Sequence, residues 1–440
     1  MAIRTPGSRA PLRGDSNFHF LFWIVLAALA VRLVVIAFLY PEQLAAGRDH
    51  WPFAYETGRI ARSIATGQGF SSPLFENTGP TAFLTPVYPY ILAGIFKIFG
   101  VYTKAAALAM LSLQALLSAL TCIPVFFYAR TSFGEKVAHW SAWAWAVFPY
   151  GVYFPAERIW STCLSTLLLS LIFLAALRMD ERNGIRAWLG FGALFGITAL
   201  TDPVVMSVFP LLLAWMCYRL YQRGADWMKP AAAAVLGLVV CVAPWFVRNY
   251  RTFHQFVPFR DTLGMELLIG NNGDTSHWRP AQIGPWHNPA DWEQFKRLGE
   301  LRYMARDREQ AVAFIREHPA SFAATSVRRF IYLWTGFWSI DRQYLAQEPF
   351  DIPNIFFSTA FTVLCLIGVR RAWRENAFGT APYVIMMLCL PLVYYVTHVE
   401  VYYRRQIDPM MLVLAVYAIT AAKRRSQVDR EREEAELQVA

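Results

Sequence analysis

Long apolar stretches alternate along this chain with short polar connections. The apolar stretches run over 18–40, 83–99, 104–129, 138–154, 160–178, 187–201, 204–221, 230–247, 354–371, 378–397 and 407–422. A helix that crosses a hydrocarbon core of about 30 Å needs roughly 20 apolar residues. The repetition therefore predicts an all-α polytopic membrane protein. Two connections are much longer than the rest, 41–103 and about 248–353, and both contain helical patterns of their own.

The stretch 83–99 is the awkward one, because it is short and holds Pro86 and Pro89. Basic residues resolve it. Arg4, Arg9 and Arg13 put the N-terminus in the cytoplasm as an uncleaved signal anchor. If 83–99 does not cross, Arg130/Lys136, Arg178/Arg182/Arg186, Arg219/Arg223/Lys229, Arg370/Arg371/Arg374 and the tail from Lys423 all fall inside. If it crosses, the first three clusters fall outside. The expectation is about ten transmembrane helices with both termini inside, and 83–99 as a proline-broken segment embedded from the outer face. Residues 1–17 and 423–440 are then cytoplasmic ends of a single membrane domain, 18–422, whose outer loops are 41–103 and 248–353.

Within the second loop, Asp307–Glu317 reads as a helix ended by His318-Pro319. Ser326–Trp338 reads as an amphipathic, aromatic interfacial segment. Within the first loop, Tyr55–Thr66 has helical phase. Tyr55, Ile60, Ala61, Ile64 and Ala65 fall on one side, and Arg59, Arg62, Ser63 and Thr66 on the other. Glu56 lies at the border, and Gly67-Gln68-Gly69 ends the helix.

Composition agrees with the pattern. The 440 residues are 56% hydrophobic and 16% charged, where soluble domains carry about a quarter. A net charge of +10 would suggest nucleic acid in a soluble chain, but here the cations sit in loops as orientation signals. All six cysteines fall in apolar runs without metal-ligand spacing. No Gly-rich phosphate loop, Gly-x-Ser-x-Gly, His-Glu-x-x-His or Cys-x-x-Cys occurs.

Candidate chemistry concentrates in two places. The first is Arg48 to Arg62, with Asp49 and Glu56. A carboxylate desolvated at an interface gains basicity and suits a general base; the bland reading is that both acids pair with Arg48, Arg59 or Arg62. The Gly79–Tyr90 segment that follows offers Tyr88 and Tyr90 at headgroup depth, as a groove for a lipid-tailed substrate or as plain aromatic anchors. The second place is His398, Glu400, Tyr402, Tyr403, Arg404 and Arg405. Two arginines on the outer face oppose the orientation rule, and arginine binds phosphate bidentately; the bland reading is a pair with Glu400. Arg248 repeats the theme, and Arg32 inside the first span needs a partner, which an outer-face acid could supply.

These stretches together resemble the GT-C glycosyltransferases, and among them bacterial relatives of protein O-mannosyltransferases and of the lipid A aminoarabinose transferase. The stretches that carry the likeness are Tyr55–Phe70, Gly79–Tyr90, Gly264–Asn271 and Tyr403–Pro409. The resemblance implies transfer of a sugar from a polyprenyl-phosphate donor, within membrane lipid, to a lipid, glycan or protein acceptor on the outer face of a bacterial inner membrane. It implies a first-loop acid as base, so Asp49 or Glu56, although relatives often show two adjacent acids and here they stand six apart. Arg404, Arg405 and Arg248 would hold the donor phosphate. Tyr55, Arg59, Tyr88, Tyr90 and Tyr403 would line the groove. No cofactor is demanded; a divalent metal is compatible with His50 beside Asp49, a weak ligand pair. Competing readings are a transporter or lipid flippase, which would carry ionisable residues deep in its spans, an envelope polysaccharide polymerase or ligase, and a non-catalytic scaffold.

Overall fold

The computed structural model describes residues 14–43, 53–273, 283–338, 351–400 and 402–420. Among them the secondary structure is helical, with a lone antiparallel bridge between Ser71 and Pro80. Four helices are long and apolar enough to cross a membrane: Asn17–Phe38, Lys104–Phe133, Met228–Phe253 and Ile352–Arg374. Shorter apolar helices follow at Val87–Phe99, Thr162–Arg178, Ile185–Ala199 and Thr380–Val396. The protein is a multi-pass membrane protein, and its exposed large side chains, such as Phe22, Trp23, Phe38, Val240 and Leu366, are apolar along these helices.

Prolines subdivide the remaining apolar stretches. The 138–154 stretch is two helices, Glu135–Ala146 and Pro149–Glu157, with Pro149 starting the second. The 204–221 stretch opens as a short 3₁₀ turn at Pro203–Ser207 before Phe209–Gln222. The 83–99 stretch differs from its expectation. Pro86 caps and Pro89 sits in the first turn of an unbroken Val87–Phe99 helix. A proline in the first turn has no intrahelical donor to lose, so it starts the helix instead of breaking it.

Close approaches between spans rest on small residues. A Cβ on Gly192 would lie 1.8 Å from the Ala234 carbonyl oxygen, and one on Gly237 would lie 2.1 Å from that of Leu189. Backbones of Ile185–Ala199 and Met228–Phe253 thus touch directly, as small-residue interfaces permit in lipid. The helix over 408–420 is enclosed by the others; Met410, Met411, Val413 and Leu414 have no accessible surface or almost none.

Among the described residues Arg32 finds no acid. Its guanidinium donates to Ser118 Oγ at 2.9 Å and to the carbonyls of Ala28 and Ala146 at 2.9 Å and Trp145 at 3.2 Å. Trp145 and Ala146 close the Glu135–Ala146 helix, so the cation sits at the negative end of a helix dipole. The expectation of an outer-face acid partner is corrected accordingly.

Candidate active site

The first-loop helix is Tyr55–Ala65. Two non-glycine residues in left-handed conformation lead into it, Ala54 at φ 68° and Tyr55 at φ 43°. Such residues cost on the order of 1–3 kcal/mol each and persist where the surroundings impose them. The surroundings are visible here: Gly58 lies so close to Phe53 that a Cβ would sit 1.8 Å from its carbonyl oxygen. Tyr55 and Glu56 stand half-buried at the start of the helix. Burial raises the Tyr55 phenol, the Glu56 charge raises it further, and Arg158 and Arg59 oppose this. Glu56, Arg59 and Arg158 therefore share one electrostatic neighbourhood around Tyr55.

The polar face of this helix is not open to solvent as its phase suggested. Arg59 is only 3% exposed and Ser63 is buried, because the chain after Gly69 folds back and lays Phe75 on the Arg59 guanidinium at 4.6 Å. Tyr88 also departs from expectation. It is buried among Leu92, Phe96, Ala107 and Met110. Tyr90 is exposed, at 52%, with its ring 5.9 Å from Phe70.

The late loop approaches through Arg158, which ends the Pro149–Glu157 helix in extended conformation. Its guanidinium lies 4.5 Å from the Tyr402 ring centre and 5.4 Å from that of Trp160, with Glu157 Oε1 at 3.3 Å. Its carbonyl accepts from Gln114. Tyr402 meets Tyr403 edge to face at 5.1 Å, and Tyr403 stacks on Tyr394 at 4.4 Å. The Tyr403 hydroxyl is 2.7 Å from His398 Nε2, whose Nδ1 is 3.3 Å from Glu266 Oε2. Glu266 in turn faces Arg260 at 3.9 Å. Burial lowers the His398 pKa while Glu266 pulls it up. Burial raises the Tyr402 phenol too, with Glu400 adding and Arg158 opposing.

The other predicted cations are committed elsewhere. Arg404 is 1% exposed; it donates to Asp408 Oδ1 at 3.1 Å, to the carbonyls of Leu333 and Trp334 at 3.2 Å, and to Thr362 Oγ1 at 3.3 Å. Arg405 donates to Asp408 Oδ2 at 3.1 Å and lies over the Tyr150 ring at 3.2 Å. Both arginines share Asp408, not Glu400. Arg405 and Asp408 also border a cavity of about 20 Å³ with Ser118, Tyr150 and Thr166, room for a water or two and no more. Arg248 binds backbone, donating to the carbonyls of Thr81 at 2.7 Å and Phe70 at 2.9 Å. Asp49 and its neighbour His50 lie outside the described residues. Among the described residues no group of three His, Cys, Asp or Glu side chains is placed to hold a metal ion.

Tyr55, with Glu56 and Arg59, thus lies within electrostatic reach of Arg158, whose guanidinium packs on Tyr402, which meets Tyr403. Sequence reasoning passed over Arg158, Glu157, Glu266 and Arg260. Arg158 carried a usable signal: like Arg404, it is a cation at the expected outer end of an apolar stretch, against the orientation rule. Glu266 sat inside a stretch quoted for its likeness alone.

This arrangement of spans and loop helices is similar in fold to solved membrane oligosaccharyltransferases. Residues 82–247, which include Glu157, Arg158 and Arg248, match the family model described as dolichyl-phosphate-mannose-protein mannosyltransferase. No curated protein matches the chain by sequence. Among solved structures, the archaeal oligosaccharyltransferase AglB from Archaeoglobus fulgidus, in complex with an inhibitory peptide and a dolichol-phosphate, aligns with a TM-score of 0.55 at 13% identity, over 95% of this chain and 52% of its own. The apo form of the Archaeoglobus fulgidus oligosaccharyltransferase aligns with a TM-score of 0.55 at 14% identity, over 96% and 52%. ArnT from Cupriavidus metallidurans, bound to undecaprenyl phosphate, aligns with a TM-score of 0.39 at 15% identity, over 90% and 78%. The chain spans about half the length of the oligosaccharyltransferase.

Proposed function

We propose that this protein is a membrane glycosyltransferase. It moves a sugar from a polyprenyl-phosphate donor to an acceptor hydroxyl at the outer face of the membrane. The observation that carries the reading is the meeting of the Tyr55-Glu56 turn with Arg158 and the Tyr402-Tyr403 pair. There a carboxylate, Glu56, and a cation, Arg158, act on the same Tyr55 phenol in opposite directions. The GT-C fold and the dolichyl-phosphate-mannose family model over 82–247 support it, as does the dolichol-phosphate bound to the archaeal relative.

The residues suit one step. The acceptor oxygen attacks the anomeric carbon as the bond from that carbon to the phosphate oxygen breaks. The acceptor proton goes to a first-loop carboxylate, Glu56 or Asp49, and polyprenyl phosphate leaves with the bonding pair. Phosphate is a good leaving group, so no general acid is required. Its developing charge needs a preorganised cation, and Arg158, half-buried and acting on Tyr55 together with Glu56, is better placed for this than the fully buried Arg404. A single displacement inverts the anomeric centre.

The test is transfer of labelled sugar from polyprenyl-phosphate donors by the purified full-length protein in lipid nanodiscs. Wild type should transfer and Glu56→Gln should lose about a hundredfold or more, the usual worth of a general base. Full activity in both Glu56→Gln and Asp49→Asn would remove the base from the first loop.

A further inference from the structure

A second acidic site lies apart from the Glu56 neighbourhood, where the Thr81-Ala82 backbone meets the second large loop. Glu300, first residue of the Glu300–Glu317 helix, clasps this backbone with both oxygens. Oε2 accepts from Thr81 Oγ1 at 2.6 Å and Oε1 from the Ala82 amide at 2.7 Å. From the other side the Asp261 amide donates to the Ala82 carbonyl at 3.1 Å. The Asp261 carboxyl lies beside that of Glu300, and both of its oxygens are closed off from solvent.

Two carboxylates in contact away from water cannot both ionise, because desolvation and like charge each oppose it. The charged groups facing the pair are Arg248 from the Met228–Phe253 helix, towards Glu300, and Arg260 from Asp261's own strand of chain. Neither makes an ion pair within contact distance; Arg248 is turned onto carbonyls and Arg260 onto Glu266. Glu300 is the member that accepts two hydrogen bonds, so it is the better stabilised as an anion, and Asp261 is the member that keeps a proton to donate to it.

We propose that Asp261 and Glu300 share a single proton and act together as positioning residues, clamping the Thr81-Ala82 backbone between the two large loops. The clamp matters to the site by position. Thr81 and Phe70 are tied by a backbone bond and by Arg248, and Phe70 ends the turn that leaves the Tyr55–Ala65 helix. Five residues beyond Ala82, the Val87 amide binds the Leu200 carbonyl, beside Thr201 and Asp202, which binds Gln406. Losing the clamp loosens the wall that holds Glu56 in place. This last consequence rests on the proposed transfer function; the shared proton does not.

The sign of the pH effect follows from the direction of the shifts. Burial, then the neighbouring acid, raises Asp261, and burial raises Glu300. A carboxyl whose pKa is higher in the fold than in the unfolded chain stabilises the fold at low pH, and that stability is lost as pH rises through the folded value. The experiment is thermal unfolding of the full-length protein in detergent from about pH 5 to about pH 9, a range starting just above ordinary carboxylate values. Wild type should lose several degrees of midpoint towards the alkaline end. Asp261→Asn, whose amide donates to Glu300 at every pH, should abolish most of that loss. A wild-type midpoint that does not fall, or an Asp261→Asn curve parallel to wild type, overturns the proposal. Infrared difference spectroscopy on membranes gives a readout independent of folding margin. A protonated-carboxyl band present in wild type near neutral pH should vanish in Asp261→Asn, and its persistence there refutes the assignment to this pair. Neither measurement involves sugar transfer, so failure of the clamp and failure of the glycosyltransferase reading are separate results.

Discussion

Two arginine-bearing corners of this molecule carry the same ingredients and do opposite things. At Arg158 a guanidinium lies across the Tyr402 and Trp160 rings beside Glu157, in the electrostatic neighbourhood of Tyr55 and Glu56. At Arg404 and Arg405, two guanidiniums close on Asp408, and carbonyls, Thr362 and Tyr150 take up the rest of their capacity. The first corner is half-buried and its groups come from separate segments. The second is buried and its ionic pairs lie within one turn of chain. Arginine outside the orientation rule is therefore not enough to mark a ligand site; burial and the segments it draws together separate the two corners.

The strongest way to break this contrast is Asp408→Asn. It leaves two buried guanidiniums without a counter-charge, and we expect a loss of about 3–5 kcal/mol, read as a collapse of the unfolding midpoint or of membrane yield. Stability close to wild type would mean that Arg404 and Arg405 have other anions to hold, and would return them to the donor site. Next in size is Glu56→Gln, with about a hundredfold loss of transfer or more and an unchanged midpoint; a fall in stability to match would make Glu56 structural.

Arg158→Gln comes third. A cation that meets charge developing in the transition state is worth about a hundredfold in kcat at most sites of this kind, so we expect kcat to fall with a smaller change in donor KM. An equal rise in KM with kcat intact would make it a ground-state binder. The smallest effect belongs to Tyr403→Phe. It removes the phenol bond to His398 while keeping the ring stacks on Tyr394 and Tyr402, and should cost about 0.5–1.5 kcal/mol of stability. His398 also dictates a sign: burial lowers its pKa, so the stability tied to its neutral form is lost as pH falls through that lowered value, and His398→Gln should show a flatter acid limb in unfolding midpoint than wild type.

The membrane class, the apolar stretches and the start of the Tyr55–Ala65 helix were legible in order of residues because each depends on local length and periodicity. The end of the outer helix at His318 was legible for the same reason, since the residue before Pro319 is biased away from helix. Arg59 and Tyr88 were not. Helical phase says which face a residue is on, but not whether a later segment, here Phe75 or the Lys104–Leu120 helix, will cover that face.

The partners of charge were the least legible part. Arg32 met carbonyls at a helix end, Arg404 and Arg405 met Asp408, Arg248 met the Thr81 and Phe70 backbone, and Asp261 met Glu300 across 39 positions of chain. The sequence by itself determined that this chain lives in a membrane and keeps its acids at the ends of its spans, because burying unpaired charge in hydrocarbon costs too much for any fold to repay. Only the tertiary structure decided which partner each of those charges meets, because a Coulomb partner is chosen by distances of a few ångströms that the order of residues does not state.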